Sequence, residues 1–364
     1  MNVVLFGDFF QFPPVTGRAL YNTVGILTED ERFGRALFEQ FDNVVILKDQ
    51  IRVQDQEWTN ILRAARHGAC NPHTHLPIIR SLVLELNPEM RPDFSRHPWN
   101  HTVLVTSRHA LRTLWNARCL KNHCRQNNTP LFISPAEDTI KRQGQEPRLL
   151  TADEKAISLS KDPKSRKLSD TVELAVGMPC MVTMNVKTEH DLANGTRGVI
   201  HNLILDPKEL EINPDSNIVH LQYPPKFILF KPDETHAANL PGLPEGVFPV
   251  EPMTTRYTIE IGGKKVTVER RQLPITGGYA FTDYRSQAQT LVPVLVDLAK
   301  PPTGSITPFG AYVALSRGRG RETIRLLRDF EDKLFTTHPS ESLRRENIRL
   351  EELHLQTKQK ENHV

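Results

Sequence analysis

The chain has 364 residues, 38% of them hydrophobic and 24% charged, which is enough apolar material for two or three cored domains and excludes wholesale disorder. Lys and Arg number 46 against 43 Asp and Glu, so any nucleic-acid surface must be a local stripe and not a property of the whole chain. No apolar run approaches the ~18 residues of a membrane helix, which argues against a membrane, and four cysteines without framework spacing fit a reducing compartment.

Residues 1–6, MNVVLF, carry a buried-strand pattern that runs into a turn at Gly7-Asp8. A strand so apolar wants neighbours on both sides, so Val3 to Phe6 is expected as one central strand of a parallel sheet, with the chain beginning partway into a domain. Residues 29–41 place Phe33, Leu37, Phe38 and Phe41 at helical spacing, and residues 44–47 are expected as a second strand. Residues 56–67 predict a helix with Trp58, Ile61, Leu62 and Ala65 on one side and Gly68 as its stop. A strand over 102–105 and a helix over 110–124, with Leu111, Leu114, Trp115 and Arg118 as its stripe, come next. Residues 134–170 are polar and are expected as a long surface excursion.

From Gly177 the texture is β-like, with a hairpin signal at Gly262-Gly263 and a Pro-rich loop over 241–252. Residues 279–315 return to α/β grammar, with LVPVLVDL and YVAL as strands, and a charged helical tail from Ser340 has too few apolar positions to pack deeply. The expected division is 1–98, a remnant of a first domain; 99–198 and 274–335, two parts of a second; 199–273, a β-rich insertion; and 336–364, the tail. Cys119, His123 and Cys124 lack a recognised zinc-ligand spacing, and no metal site is expected.

Chemistry concentrates in a few segments. GDFFQFPPV puts Asp8 and Gln11 just beyond the first expected strand, where ligands of doubly wound sheets sit and where a side-chain amide can meet a phosphate oxygen or orient a water. The spacing fits a plain strand-turn-helix connection with a solvated Gln equally well. Arg52 and Arg317 each follow an expected strand; the planar guanidinium suits a phosphate, though arginines in such places also serve as ordinary ion-pair partners. GYAFTDYRSQAQT gathers Thr282, Tyr284, Arg285, Ser286, Gln287 and Thr290, an inventory for gripping a phosphodiester while stacking a base, or a bland polar turn. DLANGTRG sets Arg197 beside an Asn194-Gly195 turn, which alone reads as a hairpin.

In this order GDxxQxPPV, Arg52, DLANGTRG, GYAFTDYRSQAQT and YVALSRxRG resemble the Pif-type (petite integration frequency) DNA helicases of superfamily 1, most closely the branch carried by Helitron transposons, over most of residues 1–335. The resemblance implies an α/β fold of RecA-like (P-loop NTPase type) parallel sheets, with the β-rich insertion as an SH3-like subdomain. It also implies ATP and Mg²⁺ as cofactors and single-stranded DNA or DNA junctions as partners. The implied activity is 5'-to-3' unwinding in replication, repair, recombination, telomere maintenance or transposition, in the nucleus or the mitochondrion. Gln11 would be the γ-phosphate sensor and Asp8 its turn-forming neighbour. Arg52 and Arg317 would reach the γ-phosphate, Arg317 as the arginine finger. Gln287 and Thr290 would link the nucleotide cleft to DNA, with Thr282, Tyr284, Arg285 and Ser286, together with Asn194 and Arg197, along the strand. The family usually has Lys and Gly where this chain has Arg285 and Ala288; a Gly at 288 would allow a positive φ or a close backbone approach.

The sequence has one Gly-Lys pair, Gly263-Lys264, with no Gly five positions before Gly263, and no apolar run ending in Asp-Glu. The phosphate-binding loop and the Mg²⁺ carboxylates are therefore expected to be missing, with negligible ATPase by this chain alone and a missing N-terminal helicase half as a partner. A non-catalytic single-stranded DNA-binding module and a decayed transposon-derived fragment are the alternatives.

Overall fold

The computed structural model describes residues 3–22, 24–141, 146–160, 168–213, 216–302 and 304–361. Contacts divide the chain into two compact units, Met1–Arg112 with Phe281–Val364, and Thr113–Ala280. Strand Lys264–Gln272 pairs with Glu137–Ile140, far earlier in the chain.

The first unit is α/β. Val103–Thr106 pairs in parallel with Val294–Asp297, which pairs in parallel with Ile324–Leu326; Ala280–Phe281, at the unit boundary, forms the outer edge. The first two strands are buried along their whole length, the signature of a parallel sheet covered on both faces. Helix Gln56–Arg66 buries Trp58, Ile61, Leu62 and Ala65 as its spacing predicted. Asp55 caps its N-terminus by accepting the Trp58 N–H at 3.0 Å. Gly68 closes it at φ +62°, where an added Cβ would lie 2.2 Å from the Thr337 carbonyl oxygen.

Several expectations fail for identifiable reasons. Residues 3–6 form no strand and are exposed, Phe6 by 94%, because no neighbouring strand flanks them among the described residues. Residues 44–47 also form no strand. Their backbone runs against helix Glu341–Glu361, the Val44 N–H donating to Thr357 Oγ1 at 2.9 Å and the Ile46 N–H to His354 Nδ1 at 3.3 Å. The tail therefore packs, through buried Leu343, Glu346, His354 and Thr357, where apolar counting predicted otherwise. Leu343 joins Phe10 and Tyr21 in a small core. YVAL lies inside helix Pro308–Leu315, capped by Thr307 with Pro308 in the first turn. Gly310 to Leu315 are all buried, and a helix apolar all round shows no 3.6-residue period. Arg52 and Arg317 consequently follow no strand.

Among its described residues the second unit holds three sheets, helix Ala152–Ser160 and most of helix His109–Asn127. Its largest core gathers Leu174, Met178, Cys180, Ile200, Phe230 and Phe248. Residues 134–170 are not a surface excursion: Leu131–Pro135, Glu137–Ile140 and helix Ala152–Ser160 are ordered elements, with residues 142–145 and 161–167 outside the described set. Arg270 is fully buried and forks onto Asp138 at 2.7 and 2.6 Å, with Tyr257 Oη 3.2 Å from its Nη2. The Pro-rich stretch contains strand Phe248–Val250, paired with Phe227–Pro232. Helix His109–Asn127 buries Leu120 while Leu114 is 55% exposed, so its packed face is not the predicted stripe. The Gly262-Gly263 hairpin forms as expected, with φ of +56° and +75° between paired Ile261 and Lys264. Among the described residues no helix is long and apolar enough to cross a membrane.

Candidate functional site

The first unit brings together Asp8, Gln11, Arg52, Gln287, Thr290 and Arg317 through two hydrogen-bonded chains. The first starts in the GDFFQ turn. Asp8 accepts the Phe10 N–H at 3.0 Å and its carbonyl accepts the Gln11 N–H at 3.1 Å, a compact Asx-type turn. The Gln11 amide donates to Asp8 Oδ2 at 3.2 Å and accepts from Gln287 Nε2 at 3.0 Å, across 276 residues of sequence. Asp8 is gripped bidentately by Arg66 at 2.5 and 2.6 Å, and Arg66 also lies over the Phe10 ring, 4.5 Å from its centroid. Burial works to raise the Asp8 pKa, but the Arg66 guanidinium and the turn N–H groups together hold it below the usual carboxylate value.

The second chain joins the two arginines. Arg52 Nε donates to Thr290 Oγ1 at 3.0 Å and its Nη1 to the Ser316 carbonyl at 3.3 Å. Arg317, only 2% exposed, donates to the Val313 carbonyl at 2.7 Å, to Ser316 Oγ at 2.6 Å and to the Ser286 and Gln289 carbonyls at 3.5 and 3.4 Å. Burial first, then the positive charge of Arg52, lowers its pKa to about 10. The Arg52 segment is tied down beside it: the Gln54 N–H reaches the Arg319 carbonyl at 2.9 Å, and Arg321 Nε meets Asp55 Oδ2 at 2.6 Å.

Between these chains lies the short helix Asp283–Ser286. Thr282 caps it by accepting the Arg285 N–H at 3.4 Å, and Ser286 Oγ donates to the Asp283 carbonyl at 2.6 Å, so both hydroxyls are used in shaping the turn. Tyr284 is 51% exposed and stacks on Phe12, centroids 3.9 Å apart and planes 18° from parallel. Ala288 adopts φ +63°, the left-handed conformation for which a glycine would be the unstrained choice. Asn194 and Arg197 belong to the second unit. The Asn194 N–H donates to Asn185 Oδ1 at 2.9 Å, and Arg197 opens strand Arg197–Ile204 with its Nε 3.9 Å from Asp233 Oδ2.

Arg66, Tyr312 and Phe12 escaped sequence reasoning. Phe12 sits inside the quoted motif and could have been found there. Arg66 and Tyr312, whose hydroxyl is 3.3 Å from Arg66 Nη1, carry no local signal because their importance comes from a tertiary contact.

Arg52 and Arg317 supply guanidiniums of the kind that suits a phosphate, and among the described residues no group of three or more His, Cys, Asp or Glu is arranged to hold a metal ion. The lone Gly-Lys pair closes a hairpin in the second unit. Asp297, the acid of VLVDLA, is only 3% exposed and is engaged by Thr106 Oγ1 at 2.9 Å and Arg328 Nη2 at 2.6 Å.

No family model matches the chain. It is 24% identical over 375 residues to the ATP-dependent DNA helicase RRM3 of Saccharomyces cerevisiae, covering 90% of this chain and 46% of that protein. It is likewise 24% identical over 339 residues to the ATP-dependent DNA helicase PIF1 of Rattus norvegicus, covering 91% and 41%. The chain thus spans less than half the length of these relatives. The crystal structure of Pif1 helicase from Candida albicans aligns with a TM-score of 0.61 at 20% identity, covering 95% of this chain and 67% of that one. Bacteroides Pif1 bound to ssDNA aligns with a TM-score of 0.57 at 17% identity, covering 94% and 66%.

Proposed function

From the premise that this chain is a homologue of the Pif1-type ATP-dependent DNA helicases and shares their fold, we propose that its first unit is the trigger side of a DNA-stimulated ATP motor. Gln11, Arg52 and Arg317 face the γ-phosphate, and Gln287 with Thr290 passes the nucleotide state to Thr282, Tyr284, Arg285 and Ser286 on a single DNA strand. On the second unit, taken by itself, Asn194 and Arg197 are further DNA-contacting residues. The observation that carries this reading is the Gln287–Gln11 hydrogen bond at 3.0 Å, which joins the proposed phosphate sensor directly to the proposed strand-binding segment. A ligand that moves Gln11 must move Gln287 or break that bond.

The γ-phosphate alone does not make an ATPase. A phosphate-loop lysine and a metal carboxylate carry much of the charge stabilisation in phosphoryl transfer, and these 364 residues contain no GxxxxGK[ST]. We therefore propose that the chain by itself hydrolyses ATP negligibly and works with a polypeptide that supplies the phosphate loop. The DNA substrate points to the nucleus or the mitochondrion. DNA-stimulated phosphate release by the purified chain tests this: turnover at the ~1–100 s⁻¹ of ordinary phosphoryl-transfer enzymes would overturn it.

The half-exposed Tyr284 favours a second reading, a non-catalytic single-strand-binding module. That reading expects salt-sensitive binding to survive Arg317→Ala and to fall when Tyr284→Ala and Arg285→Ala are combined.

A further inference from the structure

Residues 8–48 carry the GDFFQ turn and helix Glu29–Phe38, yet they bury very little of their own. That helix has no buried residue, although Thr28 closes its N-terminus with a full capping box. Among the described residues of the segment only Phe10 and Tyr21 are buried, and the third buried member of their small core is Leu343, from helix Glu341–Glu361. The start of that helix is tied to the same place. His338 Nδ1 accepts the Ser340 N–H at 3.2 Å, Ser340 Oγ accepts the Leu343 N–H at 3.1 Å, and the His338 ring stands edge-on to Phe10 with centroids 6.2 Å apart. Arg66 grips Asp8 from another side, but through polar contacts.

The far end of helix Glu341–Glu361 holds the far end of the segment. Thr357 Oγ1 and His354 Nδ1 accept the Val44 and Ile46 N–H groups, satisfying with side chains what a neighbouring strand would satisfy with carbonyls. Lys48 meets Glu351 at 3.0 Å, and Lys360 meets Asp42 at 3.6 Å. Between the two ends Arg349 lies 5.3 Å from the Phe38 centroid, and Phe38 packs edge-on against Phe9. The attachment is thin in apolar area: Leu343 is buried, but the other buried positions are Glu346, His354 and Thr357. The two ion pairs to residues 42 and 48 are at least 41% exposed on every side chain and hold weakly. An element held this way opens well before the core it rests on.

We propose that helix Glu341–Glu361 is a detachable strap over residues 8–48. The two open and close as one cooperative unit, separate from the parallel sheet, and opening frees the GDFFQ turn and with it the Gln11–Gln287 hydrogen bond. That this turn senses a phosphate rests on the reading above; the strap itself does not.

Hydrogen exchange of the whole 364-residue chain, resolved through short overlapping peptides, tests it. Residues 8–48 and 341–357 are expected to share one opening, about tenfold or more easier than that of strands Val103–Thr106 and Val294–Asp297. Leu343→Ala should lower the protection of both segments by about tenfold or more and leave the two strands unchanged. His354→Leu with Thr357→Val removes the acceptors of the Val44 and Ile46 N–H groups and should also expose the Phe10 and Gln11 amides, which neither side chain touches. If 341–357 loosens while Phe10 and Gln11 keep their protection, the helix is a passive appendage and the proposal is wrong. It is equally wrong if the two strands lose protection in step, since the opening is then global, or if Leu343→Ala exchanges like the parent. Should Leu343→Ala not fold, exchange of the parent in low urea decides: a denaturant dependence shared by the two segments and distinct from the strands sustains the strap, and one shared with the strands overturns it. No nucleotide enters these measurements, so their failure leaves the phosphate-sensing reading standing.

Discussion

Arg66→Met isolates the contribution of the Asp8 grip. The substitution keeps an unbranched stem over the Phe10 ring and deletes only the guanidinium. Lost with it are two charge-assisted hydrogen bonds of 2.5 and 2.6 Å and the contact to Tyr312 at 3.3 Å. A hydrogen bond to a charged group contributes roughly 1.5–3 kcal/mol, and an orphaned carboxylate adds its desolvation cost. The pair is not fully buried, with side chains 28% and 23% exposed, so solvent screens part of this; the expected loss is about 2–3 kcal/mol. The folded-state pKa of Asp8 lies below its ordinary 3.8, so the stabilisation is fully present above that value and disappears as pH falls through the folded pKa. The stability gap between parent and variant should therefore be flat from neutrality to about pH 5 and shrink below about pH 4. Urea unfolding followed by tryptophan fluorescence in a Trp115→Phe background reads it out, since Trp58 and Trp99 both lie in the first unit. An unchanged m-value identifies the shift as stability. A gap below about 0.5 kcal/mol at neutral pH, the usual range of inconsequential surface changes, or one unaltered down to about pH 3, would refute the reasoning.

The other expectations are briefer. Ala288→Gly should stabilise the first unit by up to about 1 kcal/mol, because relief of a left-handed alanine exceeds the extra chain entropy of glycine; a lower melting temperature would disprove it. Gly198→Ala should unfold or severely destabilise the second unit, since its Cβ would stand 2.2 Å from the Lys231 carbonyl oxygen and 2.6 Å from Phe230 Cζ; near-parent circular dichroism and melting would contradict that. Arg270→Met should cost about 3–5 kcal/mol by leaving Asp138 buried and unpaired, and adding Asp138→Leu should recover most of it. A double variant no more stable than the single one would show that packing, not the orphaned charge, sets the cost.

Legibility followed the range of the interactions. Helix Gln56–Arg66 was readable because its stripe, its Asp55 cap and its Gly68 stop are all local, and the Gly262-Gly263 hairpin for the same reason. Helix Pro308–Leu315 was misread because burial on all sides erases periodicity and leaves only the short apolar run YVAL as the misleading cue. The extended segments at 3–6 and 44–47 were misread because strand character is realised only against a partner, and their sequences name no partner. At the site, Gln11, Gln287, Arg52 and Arg317 could be picked out by type and motif. What their side chains do could not, since Arg317 is held by the Val313 carbonyl, on the helix that was taken for a strand, and by the Gln289 carbonyl, distant in sequence. Position 288 was a partial exception: the expectation of a glycine there left open a positive φ or a close backbone approach, and the residue is left-handed.

The hold on Arg317 decides what an anion there would displace. Arg317 already spends its donors on three carbonyls and a hydroxyl, so an incoming phosphate gains only the difference between charged and neutral acceptors. Engaging it also means exchanging contacts that hold helix Pro308–Leu315 against the Ser286–Gln289 turn. An anion that engaged Arg317 would therefore be expected to move the 286–290 turn.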